Sequence, residues 1–381
     1  MKILYTNFHS GHGGGHDTYI SGLAAAMSRD NEVTVASPRG SHLSQLVRKI
    51  PGVRVVEIDF KPRWQHFLEN LVRLRSLIAE SRFDVIHVNG SADHRQVMLA
   101  VAGCNAKPAI VFTKHNTRQA NSVGNFFRAR FATSRTIAVS DYVHDMLSQR
   151  SPYRHVTVIK HGVFSPVPGR PSRADVQLRK AAYFGPAGAN AIVLGSVAGT
   201  SHEKGWGDLV AALGQLPESM RTQFRVLLAG APPTSVQLQH VRQHGLESLV
   251  TFTGLSDRVS DILTATDVSF VLSYGESLSY ACREAMAMGR AVIVTKVGGL
   301  PENVEDGIDG WIVPPHSPDA IARILFMVAS QRELIPLMGH AAIRKSRREF
   351  SFAKFIEATR SVYLESIGSR HSTAVGDALR A

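Results

Sequence analysis

The sequence predicts an α/β protein of two domains, each a parallel sheet flanked by helices, facing each other across a cleft. Three observations carry that expectation. At 381 residues the chain is long for one hydrophobic core. Short apolar runs alternate with longer amphipathic stretches, as repeated β-α units require. The alternation breaks at a segment rich in Pro, Gly, Arg and Ser and then restarts.

In the first half the apolar runs place strands at 2–6, 33–37, 53–60, 84–89, 109–114, 136–140 and 156–160. Helical patterns lie between them at 18–29, 67–80, 94–102 and 141–149. The cluster Pro166, Pro168, Gly169, Pro171, Gly185 and Pro186 reads as a linker over 166–188, between domains spanning 1–165 and 189–351. Strands then recur at 192–197, 225–229, 250–253, 268–272 and 292–295, with helices near 206–216, 236–244, 260–265, 280–288 and 318–329. Two more helical patterns follow at 333–348 and 352–366, and the end from about Ser369 reads as frayed.

A hydrophobic fraction of 44% with 19% charged residues is that of a folded, soluble chain. The only cysteines, Cys104 and Cys282, lie far apart in apolar or helical segments, which suggests neither a disulfide framework nor a zinc cluster. The start Met1-Lys2-Ile3-Leu4-Tyr5 turns polar at Thr6-Asn7, so no signal peptide is read, and no run reaches the roughly 18 apolar residues of a membrane span. A cytoplasmic location is expected. Residues 1–185 hold 25 Lys+Arg against 12 Asp+Glu, whereas 186–381 hold 18 against 19. That asymmetry points to an anionic partner for the first half, such as an acidic membrane surface or a phosphorylated acceptor; solvated surface charge is the alternative. Nucleic acid is not expected, because neither aromatic-basic interleaving nor zinc spacing accompanies the charge.

Three segments carry chemistry. The loop His9-Ser10-Gly11-His12-Gly13-Gly14-Gly15-His16 joins the first strand to the first helix, where glycine amides can approach an anionic ligand. It fits a dinucleotide fingerprint poorly, since the glycine spacing is distorted and the acidic ribose partner is missing; a tight structural turn reads equally well. No carboxylate stands at a spacing suited to complete a metal set with its histidines, so no metal is expected. Lys204, at a turn entering a helix, can stabilise charge on a departing diphosphate, or be a snorkelling surface lysine. The third segment runs from Ser273 to Gly289 and holds Glu276 and Glu284. Eight residues of continuous helix rotate two side chains about 80° apart, so the acids can meet one ligand only if Glu276 sits in the loop before the helix and Glu284 inside it.

Glu276 and Glu284, followed by Gly298-Gly299-Leu300-Pro301-Glu302, resemble the Glu-x7-Glu motif and Gly-Gly-x-Pro-Glu turn of the glycosyltransferases of GT-B fold, in particular retaining family four. The resemblance covers most of the chain and implies two Rossmann-like domains, with a last helix at 352–368 crossing back to the N-domain. It implies that Glu276 contacts hydroxyls of the transferred sugar and Glu284 the nucleotide ribose, with Ser277 and Leu278 between them. Lys204 would hold the diphosphate. The family pairs that lysine with an arginine five residues earlier; here the position is Gly199, which leaves Thr200, Ser201 and backbone amides to share the task. Gly230 and Phe252 match strand ends beside the base, and Gly13, Gly14 and Gly15 would offer amides to the diphosphate. In the first half His115 matches a histidine near the transferred sugar, with His16 and Arg118 assigned to the acceptor; a hydrogen-bonded structural role for His115 stays open.

The implied reaction is a metal-independent, retaining front-face transfer that needs no cofactor beyond the nucleotide-sugar donor. No Asp-x-Asp motif is present. The family points to UDP, with GDP and ADP open. The basic half suggests a saccharide or lipid-linked acceptor at the inner face of a membrane, as in lipopolysaccharide or polysaccharide assembly. A nucleotide-sugar epimerase of the same fold, a nicotinamide-dependent oxidoreductase and a non-enzymatic anion-binding protein are the competing expectations.

Overall fold

The computed structural model describes residues 1–11, 14–61, 64–104, 107–163, 170–256 and 258–378. The chain divides into two compact units: residues 1–162 together with the helix that begins at Phe352, and residues 163–351.

The N-terminal unit opens with β1 (Lys2–Thr6), α1 (Gly15–Met27), β2 (Glu32–Ser37), α2 (His42–Val47), β3 (Val53–Glu57) and α3 (Phe67–Ser81). It continues with β4 (Val85–Val88), α4 (Ser91–Val101), β5 (Ala109–Lys114), α5 (Val123–Phe131), β6 (Arg135–Ala138), α6 (Asp141–Arg150) and β7 (Val156–Val158). Its seven strands pair in the order β3-β2-β1-β4-β5-β6-β7, and every pairing is parallel. β4 and β5 are buried at every position, as expected of strands covered on both faces.

The C-terminal unit runs α7 (Arg173–Phe184), β8 (Ile192–Ser196), α8 (Trp206–Gly214), α9 (Glu218–Arg221), β9 (Phe224–Ala229), α10 (Ser235–Gln243) and β10 (Val250–Gly254). Then come α11 (Val259–Ala265), β11 (Val268–Val271), α12 (Tyr280–Ala287), β12 (Ala291–Thr295), β13 (Gly310–Val313), α13 (Pro318–Ser330) and α14 (Leu334–Glu349). The six strands are ordered β10-β9-β8-β11-β12-β13, again all parallel. In both sheets the order reverses beside the first strand of the unit, between β1 and β4 and between β8 and β11. Successive crossovers leave that point in opposite directions, so the loops that follow these strands part and form a crevice.

As expected, the last helix, α15 (Phe352–Ala378), belongs to the N-terminal unit, where it packs on β4, β5 and α1. Tyr363, fully buried, lies 2.6 Å from His87 Nδ1 and donates to the Tyr5 hydroxyl at 3.1 Å. Phe355 packs on Tyr19, ring centres 5.3 Å apart. The helix continues to Ala378 where the sequence suggested fraying from Ser369.

Other elements depart from expectation for identifiable reasons. Residues 166–188 were expected as a linker; 166–169 lie outside the described residues, and 173–184 form α7, capped by Ser172 accepting from the Asp175 N–H and packed on α11. The Pro171 and Gly185 that suggested a linker are the punctuation at the two ends of this helix. Only Arg128 is buried on α5, so that helix has no apolar stripe turned to the core for a periodicity to reveal. The four-residue β13, Gly-Trp-Ile-Val, is too short to show a period of two.

Candidate active site

In the C-terminal unit the chemistry gathers where the strand order reverses. The segment after β8 turns through Gly199 (φ 101°) and a short 3₁₀ turn at His202–Lys204, ending on Gly205 (φ 65°). A Cβ at Gly205 would lie 1.9 Å from the Leu272 carbonyl oxygen at the end of β11, so glycine is required both for the left-handed backbone and for this approach. The Tyr274 N–H donates to the Glu203 carbonyl at 2.9 Å and fastens the two loops together. Their side chains then meet: Lys204 Nζ lies 3.0 Å from Glu276 Oε2, with 30% and 17% of the side chains exposed.

The rest of the first loop is held from behind. The Thr200 hydroxyl donates to the Ala231 carbonyl at 2.5 Å, and the Thr200 carbonyl accepts from Trp206 Nε1 at 2.9 Å and Gln237 Nε2 at 2.7 Å. A Cβ at Gly230 (φ 157°) would stand 2.6 Å from the Thr200 nitrogen, so this expected base-flanking glycine makes room for the same loop. Among the described residues the N–H groups of Gly199, Thr200 and Ser201 have no acceptor. Three backbone donors thus lie beside Lys204. A Cβ on Gly199 would meet nothing within 4 Å, so there is open space where the family carries its arginine.

Glu276 occupies the loop and Glu284 the second turn of α12, the arrangement that their spacing required. Ser279 takes the left-handed region (φ 83°) and accepts the Cys282 N–H, which starts the helix at a fixed point. Glu284 is half-buried, bonds to nothing among the described residues, and is pushed up to about 7 by burial. Beneath it Arg283, 1% exposed, donates from Nε to Asn303 Oδ1 at 2.7 Å and lies 4.3 Å over the Phe350 ring. Asn303 in turn donates to the Leu278 carbonyl at 2.5 Å, and Gly299 donates to the Glu276 carbonyl at 3.1 Å. The Gly-Gly-x-Pro-Glu turn is therefore the clamp that fixes the loop carrying Glu276.

Leu278 is wholly buried and can offer a ligand only its backbone; Ser277 is half-buried in the same loop. Phe252 packs edge-on against Trp206, ring centres 5.5 Å apart. Sequence reading missed Arg283, Asn303 and Tyr274. Tyr274 stacks on His316 at 3.7 Å, donates to Asp208 Oδ1 at 3.2 Å, and is pushed up to about 12 by burial and that carboxylate.

The N-terminal unit has its own cluster at the ends of β1, β4 and β5. Gly13 lies outside the described residues; Gly14 (φ 133°) caps α1, Gly15 begins it, and His16 follows in its first turn. The His16 ring lies 4.5 Å from that of His9 and 4.3 Å from that of His115, while Tyr19 stands edge-on to His115 at 4.6 Å. His115 Nε2 lies 2.9 Å from Asn89 Oδ1, and Asn89 is tied to the Thr6 carbonyl across the β1–β4 reversal. Burial, with the neighbouring His9, brings His16 down to about 3; burial, with His16, holds His115 well below its ordinary value. The imidazoles are thus kept neutral, able to accept or donate a hydrogen bond to a hydroxyl. Arg118 is exposed beyond them, its guanidinium bonded to nothing among the described residues.

Both units match glycosyltransferase families. Residues 13–164 fit the model described as Glycosyltransferase Family 4, and residues 190–330 that described as Glycosyl transferases group 1. A D-inositol 3-phosphate glycosyltransferase of Streptomyces griseus is 32% identical over 176 residues, 43% of this chain and 36% of that protein. An N-acetyl-alpha-D-glucosaminyl L-malate synthase of Bacillus anthracis is 27% identical over 158 residues, 42% of this chain and 41% of that one. The matched stretch thus spans little more than a third of these curated relatives. Among solved structures, Anabaena Alr3699/HepE in complex with UDP and glucose superposes with a TM-score of 0.82 at 21% identity, over 95% of this chain and 99% of that one. WaaG, a glycosyltransferase involved in lipopolysaccharide biosynthesis, superposes at 0.74 with 16% identity over the same shares. Each unit thus matches a glycosyltransferase model over its own span, and nearly the whole chain shares the GT-B fold of these structures.

Proposed function

We propose that the protein transfers a sugar, with retention, from a UDP-sugar to a saccharide or lipid-linked acceptor at a membrane surface. The observation that carries this reading is the Lys204–Glu276 pair at the β8–β11 reversal, with three free backbone donors beside it. A nucleoside diphosphate sugar presents the charges and hydroxyls that this pair accepts. The diphosphate takes the ammonium and the amides, and sugar hydroxyls donate to the carboxylate. Partly exposed ion pairs contribute only about 0–1 kcal/mol, so exchanging this one for a ligand costs little. The half-buried, unpartnered Glu284 supplies the acceptor for the ribose hydroxyls. The neighbours support the same donor, since Alr3699/HepE was solved with UDP and glucose.

In the proposed reaction the bond from the anomeric carbon to the diphosphate oxygen breaks as negative charge gathers on the leaving group. The acceptor oxygen bonds to the same face of that carbon, and its proton passes to the departing phosphate. Lys204 and the amides of residues 199–201 stabilise that charge without a metal or cofactor, while Glu276 orients the sugar. The neutral His115 and His16 orient the sugar and acceptor through hydroxyl contacts, and Arg118 attracts an anionic acceptor.

The membrane proposal rests on the outer face of the N-terminal unit. Trp64, in the 3₁₀ turn before α3, and Leu68 and Val72, one turn apart on α3, are 84%, 71% and 62% exposed, and Val123, Phe126, Phe127 and Phe131 are exposed on α5. Both helices border α4 on one side of the sheet, with Arg73 and Arg75 on α3 and Arg130 on α5. Exposed aromatic rings among arginines suit an anionic headgroup layer, where each cation contributes about 1 kcal/mol. Among the described residues no helix is long and apolar enough to cross a membrane, so this reading has the protein lie on the surface at the cytoplasmic face.

Lys204→Ala and Glu276→Ala are each expected to lower kcat with a UDP-sugar by about 10²–10³ while leaving the unfolding curve unchanged. EDTA should leave wild-type turnover intact; near-wild-type turnover in both variants would refute the site. Because burial lifts Glu284 to about 7, its carboxylate fraction grows as pH rises through that value. UDP affinity should therefore increase roughly tenfold from pH 6 to 8, and calorimetry on Glu284→Gln should show a flat profile. In flotation assays the wild type should rise with anionic liposomes and Phe126→Ser/Phe127→Ser should stay behind; equal flotation of both would overturn the membrane assignment.

A further inference from the structure

The edge of the C-terminal sheet remote from Lys204 and Glu276 holds a second concentration of charge. A cavity of about 540 Å³ opens where β8, β11 and β12 begin, lined by Arg170, Arg173, Lys180, Arg290, Arg332 and Asp267 among others. Lys204 and Glu276 follow the other ends of β8 and β11. A strand of five residues separates the two places by about 15 Å.

The cations here are poorly compensated. Lys180 Nζ lies 2.5 Å from Asp267 Oδ2 and donates to the Ala191 carbonyl at 2.9 Å. The same carboxylate oxygen accepts the Val193 N–H at 2.7 Å, so the one acid of this group is already engaged. Arg290 is 3% exposed; its Nη2 reaches the Thr264 carbonyl at 3.3 Å, and its Nε has no partner among the described residues. Arg332 donates to the Asn190 carbonyl and Gln223 Oε1, and Arg170 contacts the His340 ring. Arg173 stands in the first turn of α7, where the helix dipole is itself positive. Among the described residues none of these four arginines has a carboxylate within 4 Å.

General basicity of the unit does not explain this. Residues 163–351 hold 18 Lys+Arg against 17 Asp+Glu, so the four arginines are a local excess in a nearly neutral unit. Asp267 acts on Arg290 only from beyond ion-pair distance; a buried guanidinium with no directly paired carboxylate is costly, and an anion in the cavity would lower that cost. Guanidinium forks match phosphate oxygens in pairs, and the volume falls in the range of small-molecule sites.

We infer that this cavity is a second binding site, separate from the donor's, for a phosphate-bearing anion of at least two negative charges. The donor site would also attract phosphate, so the test keeps the two apart.

Inorganic pyrophosphate is titrated calorimetrically into the full chain, into Lys204→Ala and into Arg170→Ala/Arg173→Ala. Both arginines are exposed, and circular dichroism melting confirms that the variant folds. Lys204→Ala should retain a salt-sensitive binding event that the double-arginine variant loses by tenfold or more; Arg290→Lys should weaken the same event. Vesicles of phosphatidylcholine with and without phosphatidic acid form the second arm. Pyrophosphate binding marks a soluble ligand, whereas binding confined to phosphatidic acid vesicles, and lost in the double-arginine variant, marks a lipid phosphate. Either result supports the site. The proposal falls if Lys204→Ala binds neither probe, or if the double-arginine variant binds both as the wild type does.

Discussion

The hydrogen bond from Tyr274 N–H to the Glu203 carbonyl, beside the contact of Gly205 with the Leu272 carbonyl, is the constraint on which the site depends. Parallel pairing of β8 with β11 brings two loops side by side; these contacts fix how closely they lie. Lys204 and Glu276, 72 residues apart in sequence, face each other as a consequence. A side chain at position 205 would force the loops apart, and the pair with them. The site is thus a property of backbone geometry before it is a property of charge.

A second set of contacts makes the arrangement rigid. Arg283 and Asn303 form a buried polar pair that joins α12 to the turn after β12, and Asn303 and Gly299 then hold the carbonyls of Leu278 and Glu276. Buried polar groups of this kind are stabilising only when each bond is made, so the clamp has essentially one geometry. Glu284, by contrast, is left with its carboxylate unsatisfied and its protonation poised near neutrality. The fold spends its hydrogen bonds on orienting the loops; among the described residues it leaves Glu284 and the 199–201 amides without partners, and Lys204 and Glu276 bonded to each other. In the N-terminal unit burial plays the complementary part, keeping His16 and His115 neutral within a strongly basic half.

Much of this is legible in the sequence, because parallel strands buried on both faces read as apolar runs and because Glu276 and Glu284, at their spacing, can share a ligand only as a loop residue followed by a helical one. The resemblance to family-four enzymes was carried by the same residues. What escaped reading required knowledge of tertiary neighbours. Arg283 looks like a surface charge until Phe350 and Asn303 close over it, and Leu278 looks available until it is found wholly buried. Helix α5 lacks an inward apolar stripe, and α7 is bracketed by the proline and glycine that also mark linkers. The four uncompensated arginines around the remote cavity come from α7, from the segments before it and β12, and from that before α14, a grouping no local pattern announces.

The most direct test of the central claim is a crystal structure of the full chain with an unreactive UDP-sugar analogue. The account predicts diphosphate oxygens within hydrogen-bond distance of Lys204 Nζ and the 199–201 amides, sugar hydroxyls on Glu276, and the ribose on Glu284. A nucleotide bound elsewhere, with the Lys204–Glu276 pair intact and untouched, would contradict it.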